Sequence, residues 1–365
     1  MPLPQRILIV NPFGIGDVLF STPLIRAVRR AFPQAHVAYL CNRRTQEILR
    51  RNQDLNELFV YEKDEVLALW RRSRLAAIRT VVSLLGQVRR RRFDLAIDLS
   101  LGERYSFMLA VLGVPRRIGF DFRRRGRFLT HRFAMDGYQD QHVVDYYTQL
   151  LDMIGIRQLD RQLHLDPMQG ERLAVEHRLR QLDLREGQHV IGLVPAGGVS
   201  WGRHAHFRRW PQAKFVEVGR HVSARYGARI LIFGEPSDRS ICTGIAQAIG
   251  PAAVDLSGQT SFGEFVGLLA RCDLVICNDG GPLHLAVSQG VKTVSIFGPV
   301  DPVVYGPYGS VDHHRVVTKS LPCRPCYHQF KLPPCPYDRA CLNELSIDEV
   351  LPAVEKMLND VEVRC

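Results

Sequence analysis

The sequence predicts an α/β protein of two domains in tandem, each a parallel sheet covered by helices. Three observations carry the prediction. Short apolar runs alternate with stretches of helical periodicity, the pattern of parallel strands joined by crossover helices. The alternation stops at a charged stretch, Asp160 to Glu186, and then restarts. A length of 365 residues exceeds one ordinary core but suits two domains. The expected divisions are residues 1–165, residues 166–345 and a closing helix in 346–365.

In the first half, "RILIV" (Arg6 to Val10) reads as a strand, Val18 to Phe32 as a helix and "HVAYL" (His36 to Leu40) as a strand. A helix near Thr45, a short strand at Glu57 to Tyr61 and a long basic amphipathic helix from Arg74 to Arg91 follow. "FDLAIDL" (Phe93 to Leu99) is the next strand, then a helix over Tyr105 to Leu112, a strand ending at Phe120 and a helix from Val143 to Ile154. In the second half four strands are strong: His189 to Pro195, Arg229 to Gly234, Asp273 to Asp279 and Lys292 to Gly298. Helices at Ala213 to Tyr226, Ser237 to Ile249, Ser261 to Leu269 and Pro282 to Gln289 separate them, and Ile347 to Leu358 closes the chain. Open sheets of this kind bind ligands beyond the carboxyl ends of their strands, and a cleft between two such domains is the natural place for an active site.

Composition excludes several classes. With 46% hydrophobic and 23% charged residues the chain is globular. No apolar run reaches the ~20 residues of a membrane span, and "MPLPQRILIV" lacks the regions of a signal peptide, so the expected location is cytoplasmic. The net charge of +11 is concentrated in "RRRRF" (Arg89 to Phe93) and "FRRRGRF" (Phe122 to Phe128). Such runs are either solvated surface or attract an anionic partner, whether a phosphorylated substrate, an acidic membrane or nucleic acid. Nucleic acid has no supporting zinc-finger, RRM or helix-turn-helix pattern.

Two strand-to-helix turns carry the candidate chemistry. In "NPFGIGDVLF" (Asn11 to Phe20), Gly14 and Gly16 suit a tight turn, but Leu19 stands where a dinucleotide loop needs its third glycine. Asp17 there is either a helix cap or a carboxylate poised by the helix dipole to accept a proton. In "NDGGPLHLA" (Asn278 to Ala286), Asp279, Gly280, Gly281 and His284 frame a helix start whose free N–H groups attract phosphate, or else form a packed turn. Arg208 and Arg209 in "FRRWP" can fork onto a diphosphate or lie on the surface. Of nine cysteines, Cys41, Cys242, Cys272, Cys277 and Cys365 are scattered as small apolar fillers. Cys323, Cys326, Cys335 and Cys341 cluster in the proline-rich loop 322–341, either as reduced thiols, as a redox pair or as a structural zinc or iron site, although C-x5-C is not a standard zinc spacing. No catalytic metal motif is present, so no cofactor is expected for the chemistry.

Taken in order, "NPFGIGDVLFSTPLIRAVRRAFP", "RRWP", "CNDGGPLHLAVSQGVKTVSIFGPVDPVVYGPYG" and the cysteine loop resemble glycosyltransferase family 9, the ADP-heptose–lipopolysaccharide heptosyltransferases, over residues 6 to about 350. The resemblance implies a GT-B fold of two Rossmann-like domains facing across a cleft, the first binding the acceptor and the second the ADP-sugar. It implies that Asp17 is the general base of a metal-independent, inverting transfer to a lipopolysaccharide core or related glycan. The family's phosphate-binding lysine falls on Arg208, which keeps the charge and changes the geometry. Gly280 replaces a hydroxyl residue in the family's D-[ST]-G-x-x-H turn, while Glu235 and Asp238 lie where the family contacts the nucleoside. The basic runs then fit a phosphorylated, lipid-linked acceptor at the anionic inner face of the cytoplasmic membrane. Rival readings are a sugar-nucleotide 2-epimerase of the same fold and a binding protein without turnover.

Overall fold

The computed structural model describes residues 3–157, 160, 162–166, 169–182, 184, 187–197 and 199–359. The chain forms two compact units, Met1–Asp166 and Pro167–Cys365.

The first unit is built on β1 (Arg6–Val10), β2 (His36–Cys41), β3 (Glu57–Val60), β4 (Leu95–Asp98), β5 (Arg116–Phe122) and β6 (His131–Met135). These pair in parallel in the order β3-β2-β1-β4-β5-β6. Ile7 to Val10 are fully buried because helices cover both faces of the sheet, which is why the central strand reads as an unbroken apolar run. Val10 lies beside Leu40 on one side and Asp98 on the other. The winding reverses between β1 and β4, so the crevice at their carboxyl ends is the position where open sheets receive ligands.

The helix expected over Val18 to Phe32 is two helices, Ile15–Phe20 and Thr22–Ala31. They break at Ser21, whose hydroxyl donates to the Val18 carbonyl at 2.7 Å and meets the Tyr39 hydroxyl at 2.7 Å. A helix at Lys63–Arg72 and the edge strand β6 were not expected. The helix buries no residue and the strand buries only its last, so neither carries a core pattern that sequence reading detects.

The second unit repeats the plan with β7 (Val190–Val194), β8 (Arg229–Ile232), β9 (Ala253–Asp255), β10 (Leu274–Asn278), β11 (Lys292–Phe297) and β12 (His314–Thr318). All pair in parallel, in the order β12-β11-β10-β7-β8-β9, and reverse between β7 and β10. The four strong strands of the sequence are β7, β8, β10 and β11. The two edges, β9 and β12, are only partly buried and were missed. The stretch read as a connection contains the helix Arg172–Gln181, which packs on the helix Phe262–Leu269. Gly267 permits that contact, since a Cβ there would stand 2.6 Å from Val175 Cγ2.

The last helix, Ile347–Asn359, buries Val350, Val354, Met357 and Leu358 in the same core as Phe215, Val222 and Ile296. Just before it, the Leu345 carbonyl accepts the indole N–H of buried Trp210 at 3.0 Å and the Lys214 ammonium at 2.7 Å. Among the described residues, no helix is long and apolar enough to cross a membrane.

Candidate functional site

In the first unit the turn after β1 lies at the switch point. Asn11, fully buried, donates its side-chain amide to the Asp17 carbonyl at 3.1 Å and accepts the Phe13 N–H at 3.2 Å, which fixes the loop. Asp17 is the third residue of the helix Ile15–Phe20, and its Oδ2 accepts the Gly14 N–H at 3.2 Å. It is therefore a reverse cap, one half of a capping box, and is only half-buried. Gly14 has a φ of −78° and Gly16 is helical, so the turn does not draw on a left-handed backbone. Gly14 instead leaves room for the carboxylate, since a Cβ there would stand 3.7 Å from Asp17 Oδ2.

Sequence reading missed the groups around this loop. Tyr39, Tyr138 and Tyr147 are buried close enough to Asp17 for its charge to raise their pKa values, although burial is the larger cause. His142 packs edge-on against Phe20 at 4.8 Å and caps the helix Val143–Gln149 through Nδ1. Asp98, at the carboxyl end of β4, is 4% exposed, and burial pushes its carboxyl up to about 6 against the hydrogen bond from the Ser100 N–H at 2.9 Å. The only signal in the sequence was an aspartate closing a strand.

In the second unit, Asn278 ties the turn together. Its amide donates to the Pro195 carbonyl at 2.8 Å and its oxygen accepts the Trp210 N–H at 2.9 Å, so the ends of β7 and β10 meet the start of the helix Gln212–Tyr226. Arg208 Nη2 lies 2.5 Å from Asp279 Oδ2, with side chains 12% and 2% exposed. Burial raises the Asp279 carboxyl and Arg208 pulls it back down. The Arg208 guanidinium also stands 4.8 Å over Trp201, which in turn lies 4.8 Å from Tyr327 of the cysteine loop. Gly280 has φ 157° and ψ −176°, territory open only to glycine, and it starts the helix Gly281–Ser288 with Pro282 in the first turn. His284 follows within that helix, 3% exposed.

Arg209 is held differently. Its Nη2 reaches Asp238 Oδ1 at 3.2 Å and its Nε donates to the Gly197 carbonyl at 3.0 Å. Asp238, 2% exposed, also accepts the Glu235 N–H at 3.2 Å and so braces the turn after β8. Glu235 itself is exposed. The fold thus brings Arg208, Arg209, Glu235, Asp238, Asp279, Gly280, Gly281 and His284 to one edge of the second sheet, while Gly14, Gly16 and Asp17 stand at the equivalent edge of the first. Asp238 and Asp279 each pair with an arginine on the same edge, Arg209 and Arg208 respectively.

Of the alternatives for the cysteine loop, the structural metal site is not formed among the described residues. Cys323 is exposed, Cys326 and Cys335 are half-buried, and Cys341 is buried in the core cluster with its thiol pushed up to about 11 by burial. Cys335 Sγ accepts the Arg339 N–H at 3.3 Å. Among the described residues no group of three or more His, Cys, Asp or Glu side chains is placed to hold an ion. Cys41, Cys242, Cys272 and Cys277 are buried free thiols, and Cys365 lies outside the described residues. The two basic runs separate as well. Arg89 to Phe93 precede β4 at the amino edge of the first sheet, and Arg91 there pairs with Glu57 at 2.7 and 2.8 Å. Arg123 to Arg125 follow β5, exposed on the carboxyl edge that carries Asp17.

The model of glycosyltransferase family 9 (heptosyltransferase) matches residues 81–334. The chain is 25% identical over 366 residues to the lipooligosaccharide heptosyltransferase 2 of Campylobacter jejuni subsp. jejuni serotype O:2, covering 98% of this chain and 99% of that one. Among solved structures, a glycosyl transferase of family 9 from Veillonella parvula superposes with a TM-score of 0.81 at 24% identity, covering 99% of each chain. The ADP-heptose lps heptosyltransferase II of E. coli does so with 0.73 at 22% identity, over 97% of this chain and 99% of that one. These likenesses show the fold, the two-domain α/β architecture known as GT-B.

Proposed function

The chain belongs to glycosyltransferase family 9, and from that premise we propose that it moves heptose from ADP-heptose onto a lipopolysaccharide core or a related lipid-linked glycan. The observation that carries this reading is the division of chemistry between two equivalent turns. A half-buried carboxylate stands at the first switch point, and a partly buried guanidinium with a helix N-terminus stands at the second. The names of the similar proteins supply the sugar and the nucleotide.

In the proposed step Asp17 takes the proton of the acceptor hydroxyl as its oxygen bonds to the anomeric carbon. The bond from that carbon to the diphosphate breaks on the opposite face, so the configuration inverts. The leaving ADP gathers negative charge. Arg208 and the N–H groups that open the helix Gly281–Ser288 meet that charge without a divalent metal, and most of the rate comes from this fixed electrostatic field and from alignment. Asp279 sets the direction of Arg208, Arg209 joins the turns after β7 and β8, and exposed Glu235 is available to the nucleoside. His284 lies one turn inside the same helix. Residues 1–165 serve the acceptor and residues 166–345 the donor, with the exposed Arg123 to Arg125 loop facing the acceptor's phosphates. The enzyme works in the cytoplasm, at the inner face of the membrane.

Calorimetric titration with ADP, UDP and GDP, without magnesium, tests the donor assignment. Micromolar binding of ADP alone is expected. Preference for UDP or GDP would refute ADP-heptose as the donor.

A further inference from the structure

The helix Lys63–Arg72 and the helix Arg74–Arg90 pack on each other as a hairpin, yet the first buries no residue and the second buries only Ala77 and Val88. What they leave outside is apolar. Leu67 is 46% exposed, Trp70 46%, Leu75 67%, Ile78 48% and Val82 60%. On the longer helix, Leu75, Ile78 and Val82 fall within a sector of about 60°, on the side away from Ala77 and Val88. Arg74 and Arg79 flank that sector, and the Arg74 guanidinium stands 5.8 Å over the Trp70 ring. From Val66 to Phe93 the chain carries eight arginines and no acidic residue.

We propose that this hairpin docks the enzyme on an anionic lipid bilayer, with Leu67, Trp70, Leu75, Ile78 and Val82 entering the headgroup and acyl boundary and Arg71, Arg72, Arg74 and Arg79 meeting lipid phosphates. An apolar stripe this exposed is unfavourable in water and becomes favourable once buried. Arginines along the edges of the stripe, with no acid among them, complement a negative surface, and tryptophan suits the interface. The hairpin leaves β3 at its carboxyl end, on the edge of the sheet that carries Asp17. Arg43, just beyond β2, holds its first turn there through Glu65 at 2.5 and 2.9 Å. Docking by this face brings the Asp17 edge toward the membrane. The inference rests on the acceptor being lipid-borne, as proposed above.

The test is co-sedimentation of the full chain with phosphatidylcholine vesicles, with and without phosphatidylglycerol, and with brominated acyl chains that quench tryptophan. The wild type is expected to bind the phosphatidylglycerol vesicles with part of the binding surviving high salt, and to show quenching that Trp70→Phe removes. A Leu75→Glu/Ile78→Glu/Val82→Glu variant is expected to bind at least about tenfold more weakly, while its circular dichroism and ADP affinity stay those of the wild type. Wild-type binding by that variant, or quenching that survives Trp70→Phe, overturns the proposal. So does a wild-type dimer that the triple variant abolishes without any vesicle binding, because the stripe then meets a second copy. Vesicle binding without ADP affinity leaves the docking intact and removes the donor assignment.

Discussion

Replacing Asp17 by asparagine and by alanine separates its two roles. The carboxylate both caps the Gly14 N–H at 3.2 Å and, in the proposed mechanism, takes the acceptor's proton. Asparagine keeps an oxygen that can accept from Gly14 but cannot serve as a base near neutral pH. Alanine loses both functions. A lost cap costs about 1 kcal/mol, which in a unit of this size lowers its melting temperature by roughly 2–4 °C. The asparagine variant should melt within about 1 °C of the wild type on the same scale. Both variants should lose roughly 10²–10⁴-fold in kcat, the usual worth of a positioned base, while ADP binds as before. Differential scanning calorimetry, ADP titration and a transfer assay on the same preparations give all three readings. An asparagine variant that turns over within a few-fold of the wild type would refute the base assignment and leave Asp17 as a cap alone.

The pair Arg208–Asp279 predicts a second asymmetry. Arg208→Ala strands a buried carboxylate, a change that costs about 3–5 kcal/mol, whereas adding Asp279→Asn should restore most of the stability but none of the ADP affinity. Recovery of ADP binding by the double variant would show that Arg208 acts only as a counter-ion. Asp98 has a folded pKa raised to about 6 by burial, so its contribution to stability is complete below the unfolded value near 3.8 and is lost as pH rises through 6. Asp98→Asn, which can still accept from Ser100, should therefore be the more stable protein at pH 7.5, by up to about 3 kcal/mol, and equal to the wild type near pH 4. Parallel stability curves across that window would contradict the buried-carboxylate reading. Gly280→Ser, which supplies the hydroxyl found there in the family pattern, should destabilise by about 1–3 kcal/mol because of its φ of 157°. A neutral result in thermal melts would mean that the turn relaxes freely.

What could be read beforehand followed burial. The central strands are continuous apolar runs and announced themselves, and with them came the two glycine-bearing turns at their carboxyl ends, while the switch points those turns occupy came only with the strand order. β6, β9, β12 and the helix Lys63–Arg72 are edge or surface elements with little apolar periodicity, so nothing in their spacing marked them. In the site, residue types at strand ends were legible but their partners were not. That Asp279 holds Arg208 and Asp238 holds Arg209 depends on contacts 71 and 29 positions apart, which only the sheet order creates. The cysteine loop is the converse case, in which proximity in sequence left open an alternative that the fold does not use. Four thiols close in sequence suggested a tetrahedral site, but Cys341 faces the core and Cys323 faces solvent.

Trp210 has a consequence for how the chain acquires its shape during synthesis. Its indole and the neighbouring Lys214 are satisfied by carbonyls at positions 343 and 345, and its core is closed by side chains as late as Leu358. The first unit ends at Asp166, and domains generally fold as units in the order of synthesis, so it can collapse while the ribosome is still translating the second. The second cannot bury its central tryptophan until its last helix has emerged. A premature stop between residues 167 and 340 therefore yields an amino-terminal unit complete in length, trailing a segment with exposed apolar surface, the kind of species that quality-control proteases recognise.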